Sequence, residues 1–229
     1  VDQASESWRA LAGSFPGEKR YYDEAKARST DAETLFRLHT EHAEALGDAG
    51  VEFWLTGAQL AIDEHLNLEA ALGSLERVLA LEPENERALK LQLQVLSQKG
   101  RWEQALDVSL RRATAAKGAD QEAAYKEAGL IAQDRLQDPG RALDIAKTAL
   151  DGPAELEDWS DYLYENGCGA QRLADVIALV RPAGSGHAAR LIIRCCEALD
   201  DRADDWLSAR NVLAEHHPND AENRQALST

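Results

Sequence analysis

The stretch Asn67–Asn85, NLEAALGSLERVLALEPEN, decides the fold. Its apolar residues Leu68, Ala71, Leu72, Leu75, Val78 and Leu79 recur at spacings of three, one, three, three and one, which puts them on one stripe of an α-helix. Pro83 stops that helix, because proline disfavours a helical conformation in the residue before it. The same grammar continues outward. Asp138-Pro139 reads as an N-cap followed by proline at the first helical position. Leu143, Ile145, Ala146, Ala149 and Leu150 carry the helix that follows, and Gly152-Pro153 closes it.

Alanine, leucine, glutamate, arginine and glutamine dominate the chain, and these are good helix formers. Long period-two runs of β-branched and aromatic residues are missing, so strands have little support. The pattern predicts helices at 5–13, 19–28, 31–46, 50–64, 68–81, 86–98, 102–115, 120–136, 140–151, 154–165, 169–181, 186–199, 203–216 and 219–227. Short connections between them make consecutive helices antiparallel neighbours.

An internal repeat runs through this helical text. The pairs Ala71-Leu72 and Ala105-Leu106 stand 34 residues apart, and Ala142-Leu143 follows 37 residues later, as if a short insertion lay near Lys117-Gly118-Ala119. Gly100-Arg101-Trp102-Glu103-Gln104-Ala105-Leu106 and Leu81-Glu82-Pro83-Glu84-Asn85 resemble the central turn and the ending of a tetratricopeptide repeat (TPR) unit. Tyr125 and Gly129 are spaced like the aromatic and small residues of that family's first helix. Tyr125 lies seventeen residues before Ala142, one more than in the standard unit. His217-Pro218-Asn219-Asp220 closes a last hairpin similarly, with the bulky Trp206 where a small alanine is usual.

The resemblance implies an all-α fold, an α-solenoid of antiparallel helix hairpins coiled as a TPR-like superhelix. Small residues such as Ala71, Ala105 and Gly129 let helices approach, and Leu75, Leu93 and Trp102 fill the grooves. One hairpin cannot bury its apolar faces alone, so neighbours stack. The organisation expected is an N-terminal helical extension or cap over 1–50, repeats over 51–218, and a further repeat or capping helix over 219–229. The chain opens at Val1 without a leader-like apolar stretch, which fits a processed or truncated N-terminus.

Composition restricts the function. With 25 Lys+Arg against 41 Asp+Glu, the net charge is −16. That opposes nucleic-acid binding, which neutralises phosphates with Lys and Arg, and favours a basic partner. No apolar run is long enough for membrane insertion. The three cysteines, Cys168, Cys195 and Cys196, form no disulfide framework and fit reduced, cytoplasmic thiols. The alanine- and arginine-rich style suits a bacterial source.

Chemistry is sparse. The sequence carries no phosphate loop, dinucleotide fingerprint, His-Glu-x-x-His motif or nucleophile elbow, so no catalytic residue, metal or cofactor is expected. His39 and His42, three apart, are read as side chains of an exposed amphipathic helix, with a zinc site as the rival reading. Cys168 is placed in a turn, Asn166-Gly167-Cys168-Gly169, and at least one of Cys195 and Cys196 is a buried small hydrophobe. Glu155, Glu157 and Asp158 are partners of a helix N-terminus.

The resemblance also places a binding face on the first helix of each hairpin. It transfers the groove positions to Phe53, Thr56, Leu60, Asp63 and Glu64, then to Arg87, Lys90, Gln94, Ser97 and Gln98. In the third unit they fall on Ala123, Lys126, Leu130, Gln133 and Asp134. A subset of the family clamps a peptide carboxylate with lysine and asparagine; Thr56 and Leu60 occupy those positions, so that activity is not expected. The face has some basic character at Arg87, Lys90 and Lys126. The expected partner is a protein or peptide, with Lys90 and Lys126 the candidates for contact with an acidic or extended peptide, and a merely solvated polar face is the rival reading. The second expectation is a homo-oligomer formed through open repeat ends, with Trp159, Tyr162 and Tyr164 as exposed aromatics.

Overall fold

Side-chain caps set the helix starts wherever the sequence supplies them. In the computed structural model, which describes residues 3–29, 31–152, 154–199 and 203–216, the Asn67 carboxamide accepts from the backbone N–H groups of Glu69 and Ala70 at 3.1 and 3.2 Å. Asn85 accepts from Ala88 at 2.9 Å, and Asp31 from Thr34 at 2.8 Å. Asp138 accepts from Arg141 at 2.9 Å, with Pro139 in the first turn. Each cap satisfies amides that the helix itself leaves without partners.

The resulting elements are α1 (Gln3–Ser14), α2 (Lys19–Ala27), α3 (Ala32–Leu46), α4 (Val51–Asp63), α5 (Leu68–Leu81), α6 (Glu86–Gln98) and α7 (Trp102–Ala115). They continue as α8 (Ala119–Leu130), α9 (Pro139–Leu150), α10 (Leu156–Gly169), α11 (Leu173–Val180), α12 (Gly186–Leu199) and α13 (Ala203–His216). A 3-10 turn, Gly47–Gly50, joins α3 to α4, and Ile131–Arg135 extends α8 as a π-helical turn. No strand occurs among the described residues. The architecture is all-α, built of TPR-like helix hairpins. Residues 219–227, expected as a helix, and the ending at His217–Asp220 lie outside the described residues, as does Pro153.

The chain divides into two units, 1–115 and 116–229. In the first, α1 packs on α2 and α3, α3 on α4, α4 on both α5 and α6, and α6 on α7. Contact of a helix with the next and with the next but one is what stacked hairpins produce. The interior is aliphatic: Leu75, Leu89 and Leu106 are fully buried, each contributing about 1.5–3 kcal/mol by its removal from water. Ala71 and Ala105 are equally buried and keep the helices close. Between hairpins, Arg87 reaches Glu52 at 3.2 Å, while Glu69 holds Lys99 at 2.8 Å and also Arg101.

In the second unit, α8 packs on α9, α10 on α9, α11 and α12, and α12 on α13. Leu143, Leu163 and Ile177 are fully buried. The Trp159 indole N–H donates to Glu122 at 3.3 Å, and the Asn166 amide to Gln133 at 3.2 Å, tying α10 to α8. The extra residue between Tyr125 and Ala142 is absorbed by the π-helical turn, where the Leu136 amide bonds back five residues to the Ile131 carbonyl.

One pair of helices departs from the expected boundaries. The turn assigned to Asn166–Gly169 is helical, and α10 runs through it to Gly169. A Cβ on Gly167 would meet Val176 Cγ2 at 2.7 Å, so that glycine is needed for close approach of α11 rather than for a bend. The turn falls instead at Gln171, which adopts φ of +56°.

Candidate functional site

The first helix of each clear hairpin presents a polar strip. In the first unit, α4 offers Thr56 and Leu60 half-buried and Asp63 and Glu64 exposed. The Thr56 hydroxyl donates to the Glu52 carbonyl at 2.7 Å and so is internally satisfied. On α6, Arg87, Lys90, Gln94 and Gln98 are exposed and Ser97 is half-buried. The intervening Ala88, Leu89, Leu91, Leu93, Val95 and Leu96 face the interior, so helical period alone sorts the outward residues from the core. In the second unit, α8 and its π-helical turn present Ala123, Leu130 and Asp134 exposed, with Lys126 and Gln133 half-buried.

None of the three candidate cations stands alone. Arg87 is paired with Glu52 at 3.2 Å, Lys90 with Glu86 at 2.5 Å and Lys126 with Glu122 at 2.8 Å. The Lys90 and Lys126 ammonium groups, bonded to Glu86 and Glu122 respectively, hold those carboxyls below their usual range. Lys126 also lies 5.9 Å from the centre of the Trp159 ring. The strip is therefore charge-balanced rather than basic. The Glu86–Lys90 and Glu122–Lys126 pairs are legible as neighbours four apart on one helix. Glu52, thirty-five residues before Arg87, carries no such signal.

Phe53 is not an open groove residue. Its ring lies edge-on to Tyr22 at 4.9 Å and to His42 at 4.6 Å, half-buried where α2 and α3 meet α4. An aromatic on a first helix reads equally as groove or as contact with the preceding helices, and here three N-terminal helices are present to cover it.

His39 and His42 are likewise corrected from an exposed face to the interior, at 4% and 3% exposure. His39 Nδ1 and the Tyr22 hydroxyl share a hydrogen bond of 2.9 Å. The His42 ring stacks on Tyr22 at 4.7 Å and lies close to the Ala12 backbone. Burial, with Lys26 and His42 nearby, pushes His39 down to about 4. Burial also lowers His42, against the opposing pull of the Ala12 backbone. Tyr22 is pushed up to about 12 by burial and by Asp23. Among the described residues, no three His, Cys, Asp or Glu side chains converge as a metal site.

Trp159, expected as an exposed aromatic, is 1% exposed, because it fills the space between α8 and α10. The Tyr162 hydroxyl is buried with no hydrogen-bond partner. The ring of Tyr164, half-buried, is covered by Arg194 at 3.9 Å. Cys168 is exposed, but in the last turn of α10 rather than in a loop. Cys195 and Cys196 are both buried, and burial with Cys196 adjacent pushes the Cys195 thiol up to about 12. Glu157 and Asp158 do lie in the first turn of α10. Trp206 is half-buried under Arg210, 4.8 Å from its ring centre. No described helix is long and apolar enough to cross a membrane.

No protein-family model matches the sequence. No curated protein matches it significantly. Among solved structures, the chain is similar to YrrB, described as a TPR protein with an unusual peptide-binding site, at 15% identity over 77% of this chain and 91% of that one, with a TM-score of 0.40. It is similar to MamA at 14% identity over 89% and 96% of the two chains, with a TM-score of 0.45. A tetratricopeptide repeat protein from Parabacteroides merdae shares 12% identity over 99% and 98%, with a TM-score of 0.35.

Proposed function

We propose that this chain is a noncatalytic interaction scaffold that takes a protein or peptide partner on the first helices of its hairpins. The reading rests on one observation: α4, α6 and α8 each expose a strip of hydrogen-bonding side chains beside an otherwise buried aliphatic face. Thr56, Leu60, Arg87, Lys90, Gln94 and Gln98 form the strip on the first unit. Lys126, Leu130 and Gln133 form it on the second, with Leu130 half exposed at 51%. Mixed amide, aliphatic and charged side chains suit an extended peptide, whose backbone takes hydrogen bonds and whose carboxylates exchange with Glu86 and Glu122 as partners of the lysines. Such exchange costs little at the Lys90–Glu86 pair, because solvent-exposed ion pairs are weak.

Crosslinking of the full chain to its partner in the native host, read by mass spectrometry, tests this. Crosslinks are expected at Lys90 and Lys126, and Lys90→Glu with Lys126→Glu is expected to weaken retention at least tenfold. Unchanged retention by the double variant would remove these helices as the contact.

A further inference from the structure

We propose that His39 and His42 form an acid-sensitive latch that holds the α1–α2 hairpin against α3 and α4, and that protonation of the pair releases the hairpin and uncovers Phe53. The inference goes beyond the partner reading and does not depend on it.

The latch is a cluster drawn from four helices. Tyr22 of α2 is its centre: it hydrogen-bonds His39, stacks on His42 and packs edge-on against Phe53 of α4. From α1, Ala12 is fully buried in the same cluster, its backbone close to His42. Ala12, Tyr22, Ala25 and Leu38 make one small buried cluster, with Trp8, Tyr21 and Phe53 packed on it. Those contacts, rather than the aliphatic interior of α5–α7, secure the first two helices.

This site accommodates neutral imidazoles. His42 Nδ1 is buried without a hydrogen-bond partner, so a proton added there meets no acceptor. Lys26 of α2 adds a like charge near His39, and His42 likewise opposes the charging of His39. Phe53 is what α4 contributes, and it is apolar. Asp23 acts on Tyr22, and Arg9 of α1 is held by Glu41 of α3 at 3.2 Å. Releasing the hairpin returns both rings to water, where they titrate near 6.5.

The sign follows from the depressed folded value. Above pH 6.5 both states are neutral and the latch holds. Below it, the released form binds protons that the latched form cannot. With His39 held at about 4, acidification to pH 5 favours release about thirtyfold from this residue alone, and His42 adds to it.

Hydrogen exchange on the full chain, corrected for intrinsic rates, tests the proposal at pH 7.5 and 5.0. Opening of amides in residues 3–27 is expected to rise at least tenfold on acidification, with residues 68–115 unchanged. His39→Gln with His42→Phe keeps a hydrogen-bonding partner for Tyr22 and a ring to stack on it, yet cannot charge; this variant is expected to stay protected at pH 5.0. If it is open already at pH 7.5, the wild-type histidine NMR titration decides. Both signals must then titrate together with loss of protection. Free titration near 6.5 with the hairpin still docked overturns the latch, as does a wild-type hairpin that stays protected at pH 5.0 or a variant that opens on acidification as the wild type does.

Discussion

Gly129 and Tyr162 face each other across α8 and α10, and their contact leaves no room for a methyl group. A Cβ at Gly129 would stand 2.5 Å from the Tyr162 hydroxyl oxygen. That hydroxyl is buried and unpartnered, so it has no hydrogen bond to compensate the crowding. Gly129→Ala is expected to destabilise by about 1–2 kcal/mol, overpacking outweighing the helix propensity gained. Tyr162→Phe removes a desolvated hydroxyl and is expected to stabilise by about 1 kcal/mol. Urea denaturation of both single variants and the double variant checks this, and a favourable coupling in the cycle is the signature of the shared contact. A second residue-scale test uses the turns that close α4 and α10. His65 and Gln171 sit there at φ of +50° and +56°, where Gly100 sits at +67° in the corresponding turn after α6. His65→Gly and Gln171→Gly are each expected to raise stability by about 0.5 kcal/mol, relief of left-handed strain exceeding the entropy that glycine adds to the unfolded chain. A fall in either urea midpoint would show that local contacts of the native side chain outweigh the strain.

Between elements, the seventeen-residue spacing from Tyr125 to Ala142 becomes a structural fact as the π-helical turn at Ile131–Arg135. Deleting Asp134, an exposed residue within that turn, is expected to convert it to regular α-helix with little loss of helicity by circular dichroism. Deleting Gln94 from the uninterrupted α6 rotates every later side chain on that helix by one position and is expected to unfold the hairpin. Equal damage from both deletions would mean that the turn is not a tolerated insertion. The same comparison explains what the sequence made legible. The cap at Asp138, the stop at Pro83 and the stripe of α5 are local signals, and local backbone physics decides them. Gly167 misleads because glycine serves bends and close approaches alike, and the neighbour that distinguishes them, Val176, comes from another helix. Trp159, His39 and Phe53 mislead for a related reason. An amphipathic helix declares its strongest face, but the burial of its flanks depends on which helices pack beside it, and α2, α3 and α8 supply that packing here.

Over the whole molecule, acidification sets two effects against each other. The chain carries a net charge of −16, and self-repulsion of that size disfavours the folded state. Between pH 7 and 5.5, however, carboxylates scarcely titrate, so the repulsion is little relieved. The buried histidines dominate that window: His39, at about 4 folded against 6.5 unfolded, is expected to cost about 1 kcal/mol of stability by pH 5.5. Ion-paired carboxylates act at lower pH. Glu69, Glu86, Glu122 and Asp175 lie below their usual ranges because Lys99, Lys90, Lys126 and Arg172 bond them. Their contribution is complete above their unfolded values and is lost as pH falls through the folded ones. His39→Gln should therefore make the stability profile shallower from pH 6.5 to about 5, with His42 accounting for the remaining slope, and leave the steeper loss below it intact. Salt separates the causes further. At about 0.5 M the screening length falls to roughly 4 Å, which suppresses long-range repulsion and exposed ion pairs but not the desolvation of a buried ring. The decline from pH 6.5 to 5.5 must then persist in high salt, and its disappearance would assign it to surface charge instead.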